Sequence, residues 1–386
     1  MKIYKLNCDI NLSNLLLKLG VDKPGIEIMS KKKSGFLFYI KDINCGAANI
    51  LKQDALSIGA ELAVPMGVPN CKNKTFDAIL ICNKKQLETL AKKELSQPFK
   101  LKELANKLKE FINLPKFPVK IMGVINANED SFFEGSRFQG TQAVKQIENM
   151  IGNGADIIDI GGVSSRPGSI YPGVDEELKR VTPIIDEIYK TKLYEKAVFS
   201  IDTFEAKVLE YALDRGFKIA NDITGLESDE YAKVVSKYNA KVIIMHKKGN
   251  PKDMQKNPFY ENVILEVDEF FKDRIEKAKS FGIKDMVLDV GIGFGKRLED
   301  NIALIKHMEH FLHFGYELLI GASRKSMIDM IMKKEGVSTH PGERLPGTLI
   351  LHTEAVRNGA SIVRCHDVKE HFQALKVFEA IRDFDV

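Results

Sequence analysis

At 386 residues the chain exceeds one ordinary hydrophobic core, because single cores stop growing near about 250–300 residues, and two domains are expected. A hydrophobic share of 44% and a charged share of 28% exclude a disordered or fibrous chain. The formal charge of +4, from 57 basic and 53 acidic residues with no clustered basic stripe, argues against a nucleic-acid partner and suits a small anionic substrate.

The first twenty residues alternate apolar side chains with Lys5, Asn7, Asp9, Asn11 and Asn14, unlike the continuous apolar stretch of a signal peptide. No run approaches the ~18 apolar residues that a membrane span needs. Five cysteines, Cys8, Cys45, Cys71, Cys82 and Cys365, include no C-x-x-C pair, and their odd number predicts reduced thiols. The expectation is a soluble, cytoplasmic protein with no membrane partner. Residues 12–19 read as a helix, and Ile26 to Ile43 as a hairpin turning at Lys31–Gly35. Ala47 to Leu56 reads as a helix, Phe76 to Cys82 as a strand, and Lys84 to Glu94 and Leu101 to Phe111 as helices. Residues 1–114 are thus expected to be a small α/β extension without a catalytic motif. Its lysine runs are solvated faces, and the small-residue helix entrance Asn44–Asn49 is read as close packing rather than an anion site.

Leu114-Pro115-Lys116-Phe117-Pro118 marks a boundary, and residues 117–386 have a regular organisation. Apolar or β-branched runs recur at Val119–Ile125, Asp156–Ile160, Ala197–Ile201, Lys218–Ala220, Lys241–Met245, Met286–Leu288, Glu317–Ile320 and Ser361–Val363. Each is followed by enough chain for a helix. Strands alternating with helices imply parallel pairing, and eight such units in this length predict a closed (β/α)8 TIM barrel. A doubly wound open sheet would carry a glycine fingerprint after its first strand. Gly291–Gly295 has the wrong spacing for one and follows the sixth.

In such a barrel the active site lies at the carboxyl ends of the strands. Every run here ends in polar groups. In order these are Asn126, Asp159 with the Gly161–Gly168 stretch, Asp202, Asn221-Asp222, His246, Asp289 with Gly291–Lys296, Ser323–Ser326, and Arg364 with His366-Asp367. Chain reaching solvent always becomes polar, which explains some of these. It does not explain acids so close to apolar runs at Asp159, Asp202 and Asp289. A desolvated carboxylate costs several kcal/mol by order of magnitude unless it is partnered, and the available partners are Lys325, Arg364 and a ligand.

At these positions the sequence resembles the dihydropteroate synthases. The resemblance runs through Met122–Asn126 with Asp130-Ser131-Phe132, Gly154–Gly162 with Ser164–Gly168, Ser200–Thr203, Asn221–Ile223, Met245-His246, Leu288–Lys296, Ser323–Ser326 and Arg364–Val368, in the family's order. It implies a transferase that joins 4-aminobenzoate to 6-hydroxymethyl-7,8-dihydropterin diphosphate in folate biosynthesis, and a target for sulfonamides. The implied pterin pocket is Asp202, Asn221, Asp289, Lys325, Met245, Phe294 and Gly321. Buried carboxylates suit its row of N–H donors, and Lys325 its carbonyl. Arg364, His366, Arg166 and Asn126 are implied for the diphosphate, Asn126 through a Mg2+ cofactor. Phe132, Ser165, Arg166, Pro167, Arg324 and Ser326 are implied for the aminobenzoate pocket. A homodimer is the usual assembly of the family.

Some positions depart from the pattern: Asn128-Glu129 for Thr-Pro, Glu134 for Asp, Val163 for Glu, Ser165 for Thr, Val290 for Pro and Pro346 for Ala. Val163 deletes a carboxylate beside Arg166. Two rival readings stand beside the synthase, the first from the shared pocket and the second from Val163 and the extra domain. One is a methyltransferase of the methyltetrahydrofolate type with the same pterin pocket; the other is a pterin-binding protein without catalysis. His307, His310 and His313 have a metal-like spacing, but no carboxylate or cysteine set completes it in the sequence, so they and His340, His352 and His371 read as packing or surface residues away from the rim.

Overall fold

The computed structural model describes residues 6, 10–33, 35–71, 73–127, 141–163, 169, 171–249, 254 and 256–384. The chain divides into two compact units, Met1–Leu114 with Glu379–Val386, and Pro115–Phe378.

The smaller unit is a three-stranded antiparallel sheet backed by helices. β1 (Gly35–Asn44) and β2 (Glu61–Ala63) flank β3 (Thr75–Asn83). β3 alternates strictly between exposed and buried residues, so one face packs on α3 (Cys45–Ser57), α4 (Lys84–Lys93) and α5 (Leu101–Glu110) around Leu51, Leu62, Leu80, Leu87 and Leu90. The helix at residues 12–19 is present as α1 (Leu12–Lys18). The expected hairpin is not. Lys23–Ser30 forms α2, started by Asp22, which accepts from the Gly25 N–H, and by Pro24 in the first turn. β1 pairs with β3 instead, Phe36 opposite Cys82 and Phe38 opposite Leu80. The reduced-thiol expectation is also corrected: Cys45 and Cys71 form a disulfide, while Cys82 and Cys365 are free and buried.

The larger unit is the expected barrel. Its strands are β4 (Lys120–Asn126), β5 (Ile157–Gly161), β6 (Val198–Asp202), β7 (Ile219–Asp222), β8 (Lys241–Met245), β9 (Met286–Asp289), β10 (Glu317–Ile320) and β11 (Ile362–Cys365). They pair in parallel in chain order, and β11 closes on β4. The outer layer comprises α6 (Thr141–Gly152), α7 (Val174–Thr191), α8 (Ala206–Leu213), α9 (Asp229–Lys237), α10 (Val263–Ser280), α11 (Leu298–Lys306), α12 (Ser326–Lys334), α13 (Leu345–Arg357) and α14 (Val368–Arg382). Strands covered on both faces read as continuous apolar runs, which is why they were visible in the sequence.

Met122, Ile157, Ile219, Ile243, Val287, Leu319 and Ile362 form one apolar cluster contributed by seven of the strands. At the amino ends Glu317 takes Lys120 and Lys241 at 2.7 Å each, so the floor is fixed by charge. The rim at the opposite end is left to hold polar groups.

Candidate active site

Strand register places the rim residues. Asn126, Gly161, Asp202 and Asn221 pair across β4, β5, β6 and β7 as one row, while Asp289 pairs with Met245 and Leu319. Gly161 has no side chain, and a Cβ there would lie 3.6 Å from Asn126 Oδ1 and 3.7 Å from Asp202 Oδ2. The row therefore stays open between those two.

Arg364, near the end of β11, is the centre of a buried ionic network. Its Nε donates to Asp159 Oδ2 at 2.7 Å, and its Nη2 donates to Asp202 Oδ2 at 2.8 Å. Asn221 Nδ2 donates to the same Asp159 oxygen at 3.1 Å. Burial works against the Arg364 charge, but Asp159 and Asp202 outweigh it and keep the guanidinium protonated. Burial pushes Asp202 up; Arg364 opposes this and Asp159 reinforces it. The second oxygen of Asp159, Oδ1, is buried without a hydrogen bond.

Asp289, also buried, accepts from the Gly291 N–H at 2.8 Å. Burial raises its carboxyl, while that N–H and the charges of Lys325 and Arg364 pull it back. Lys325 donates to the Ile292 carbonyl and lies 4.6 Å from the Phe294 ring centroid. Burial pulls its ammonium down to about 8, with Asp289 opposing.

The segment carrying these groups is held by its backbone. Gly291 and Gly295 have φ of +64° and +63°, and a Cβ on either would fall 1.9 Å from the His246 carbonyl or 2.0 Å from the Lys248 carbonyl. Only glycine allows that approach. Lys296 is buried beneath, with Nζ donating to the carbonyls of His246, Gly291 and Phe294 at 3.2, 2.9 and 3.1 Å. Burial pushes it down to about 7. Three acceptors require three N–H bonds, however, which only the ammonium has.

The loops after β10 and β11 are tied to each other. Arg324 donates to both oxygens of Asp367, at 2.9 and 2.6 Å, and Ser323 Oγ lies 2.9 Å from His366 Nδ1. Behind them the Ala322 N–H donates to His352 Nε2 at 2.9 Å, His352 Nδ1 meets His371 Nε2 at 2.8 Å, and His371 Nδ1 meets the Asp367 carbonyl at 2.6 Å. The carbonyl and the N–H at the two ends fix both tautomers: each imidazole carries its hydrogen on Nδ1.

The structure thus gathers Asp202, Asn221, Asp289, Lys325 and Arg364, with Phe294 under Lys325, Met245 opposite Asp289, and Gly321 beside Arg364. Asn126 shares the row. Ser326 is exposed at the first position of α12, and the Arg324 guanidinium is engaged by Asp367 rather than standing free. Phe132, Ser165, Arg166 and Pro167 lie outside the described residues. The sequence reading gave Asp159 no ligand role, yet it holds both Arg364 and Asn221; its signal was an acid inside an apolar run. The reading also placed His352 and His371 away from the rim, whereas they brace its two loops. Glu177 of α7 was not singled out. It is buried, accepts from Tyr171 Oη at 3.0 Å and leaves Oε1 unpartnered.

The profile described as "Pterin binding enzyme" matches residues 122–366. The bifunctional dihydropteroate synthase/dihydropteroate reductase of Helicobacter pylori is 42% identical over 388 residues, covering 100% of each chain. The dihydropteroate synthase of Escherichia coli is 39% identical over 67% of this chain and 90% of its own. Among solved structures, the Yersinia pestis dihydropteroate synthase with a sulfonamide drug complex has a TM-score of 0.65 and 34% identity, covering 69% of this chain and 95% of that one. The Thermus thermophilus enzyme in complex with 4-aminobenzoate has a TM-score of 0.60 and 32% identity over 68% and 95%.

Proposed function

The chain belongs to the pterin-binding enzymes, within the dihydropteroate synthase family, and from that membership we infer how its rim performs the family's reaction: the condensation of 6-hydroxymethyl-7,8-dihydropterin diphosphate with 4-aminobenzoate to 7,8-dihydropteroate and diphosphate. The observation that carries this reading is the convergence of Asp159, Asp202, Asn221 and Arg364, up to 205 residues apart, on one network beside Asp289 and Lys325.

Asp289 and Asp202 accept from the N–H edge of the pterin, Asn221 supplies a donor and an acceptor, and Lys325 donates to the pterin carbonyl. Met245 and Phe294 flank the ring. Arg364, already bridging two carboxylates, and His366 face the diphosphate. The C–O bond to diphosphate breaks with its electron pair on the leaving group, and the amine nitrogen forms the new C–N bond and then sheds its proton. Stabilising the separating charges is electrostatic work. The reading we propose is a loose displacement without a covalent enzyme intermediate. Phe132, Ser165, Arg166, Pro167 and Ser326 supply the aminobenzoate pocket in this reading, and Arg324 supports it through Asp367.

The donor set fits a Mg2+ ion carried by the diphosphate. Asn126 offers a hard amide oxygen beside the gap at Gly161, and a single protein ligand suits an ion that keeps waters and phosphate oxygens. When bound, the ion neutralises charge on the leaving group; Asn126 orients it. Among the described residues no helix is long and apolar enough to cross a membrane. The cytoplasmic location and the homodimer expected of the family remain part of the proposal. Supplying both substrates with Mg2+ and measuring diphosphate release tests the reading. Magnesium-dependent release is expected, and absence of turnover would end it.

A second activity is favoured by one observation. The bifunctional Helicobacter relative matches end to end, whereas the Escherichia synthase covers 67% of the chain. We propose that the chain also reduces dihydropteroate and that residues 1–114 are needed for it. Incubation with 7,8-dihydropteroate and a reduced nicotinamide or reduced flavin as hydride source should yield tetrahydropteroate; unreacted dihydropteroate under both would overturn it.

A further inference from the structure

In the outer layer of the barrel, three side chains that the synthase reaction leaves unused meet one another. Asp268 of α10 faces Nε2 of His310 at 2.9 Å and Nε2 of His313 at 2.6 Å, both at Oδ1. The two histidines lie in the 3-10 segment Met308–Phe314, whose three-residue turn stacks positions i and i+3 on one side. The three ligand atoms lie within 4.8 Å of one another. His307, the third histidine of that spacing, stands outside the cluster, and Asp268 supplies the carboxylate that the local sequence lacked.

We propose that Asp268, His310 and His313 form a binding site for one divalent transition metal of the zinc type, which clamps α10 to the segment before β10. Two imidazole nitrogens and a carboxylate oxygen suit Zn2+, Co2+ or Ni2+, whereas Mg2+ and Ca2+ prefer oxygen alone. In a tetrahedral site with bonds of about 2.0–2.1 Å the donors stand about 3.4 Å apart. The carboxylate therefore withdraws from each imidazole by only about 0.5–0.8 Å, a side-chain rotation, to admit the ion.

The rings are already oriented. His310 meets Phe311 at 5.2 Å between centroids and His313 meets Phe314 at 4.0 Å, while Phe271 packs edge-on against both phenylalanines. Asp268 and His310 each retain 27% side-chain exposure and His313 retains 10%, so a fourth ligand can come from water. An aspartate serving only to join two elements needs one imidazole. Two that present the same nitrogen to the same oxygen make a chelating set.

The test uses the full chain, freed of metal by a chelator and kept in excess Mg2+ so that oxygen-only sites are filled. Titration with Co2+ should show one equivalent with the visible d–d bands of a four-coordinate N/O site, displaced by Zn2+. His310→Gln/His313→Gln and Asp268→Asn should each weaken binding at least about tenfold, as changes even to outer-sphere partners of metals do. Both variants should keep their circular dichroism and synthase turnover, since none of the three residues serves the rim. Wild-type chain that binds Co2+ no tighter than the double histidine variant overturns the site. So does an Asp268→Asn chain with undiminished affinity.

Discussion

At the residue scale, Arg364 is what makes the rim stable enough to function. Removing it leaves Asp159 and Asp202 facing each other in a buried place, and breaking such a pair costs about 3–5 kcal/mol. Arg364→Ala should therefore lower the melting temperature and weaken binding of a pterin with or without its diphosphate. The sign with pH follows from the carboxylates. Burial already raises the Asp202 carboxyl and Arg364 opposes it, so without the guanidinium it rises further, the folded state binds more protons than the unfolded one, and the deficit shrinks as pH falls. Melting curves at pH 5 and pH 8 check this; a deficit equal at both would contradict it. Lys325 gives a second test. Its ammonium sits at about 8, so the fraction able to donate to substrate falls as pH rises through that value. The kcat/KM profile should descend above pH ~8, and Lys325→Arg, which stays charged, should remove that limb while lowering the plateau.

At the scale of elements, the segment after β9 and the paired loops after β10 and β11 shape the pocket. Gly291→Ala would drive a methyl into the His246 carbonyl at 1.9 Å, whereas Gly315→Ala, also at positive φ, meets nothing within 4 Å. The first should cost more than 3 kcal/mol with loss of pterin affinity and the second about 1 kcal/mol with none, by denaturant titration and ligand binding. Arg324→Lys gives up both bonds to Asp367 and those to the Pro341 and Gly342 carbonyls. If its task is to hold the two loops together, KM should rise for both substrates; a rise for aminobenzoate alone would return it to the pocket wall. The barrel strands were legible because strands buried on both faces leave unbroken apolar runs. The loops' bracing was not. His352 and His371 sit on helices, and nothing local in their sequence says that they look inward toward Ala322. Residues 26–30 depart from the expected hairpin for the opposite reason: the Asp22 cap and Pro24, which lie just before them, decide for a helix. The missing carboxylate of the histidine cluster lay 42 residues away in the chain, beyond any spacing rule.

At the scale of the whole molecule, the two units have separate apolar clusters, Leu51 with Leu80 and Leu90 in one and Met122 with Ile243 and Leu319 in the other. Separate cores predict two unfolding transitions in calorimetry. The Cys45–Cys71 bond, across 26 residues, constrains only the first by about 3–4 kcal/mol in the chain-entropy picture. A reductant should lower that transition alone and leave synthase turnover intact. Movement of both would mean that the units unfold as one. The family's motifs exposed the catalytic unit in the sequence; residues 1–114 carry none, so their fold was legible only through local periodicity.

The contact between Arg364 and Asp159 also has a consequence during synthesis. The acids of β5 and β6 leave the ribosome long before the guanidinium 205 residues downstream of Asp159. Until the last strand arrives the two acids lack the cation they share, so the ionic network of the rim is completed only when β11 joins β4. The arginine that serves the substrate is also the final latch of the nascent chain.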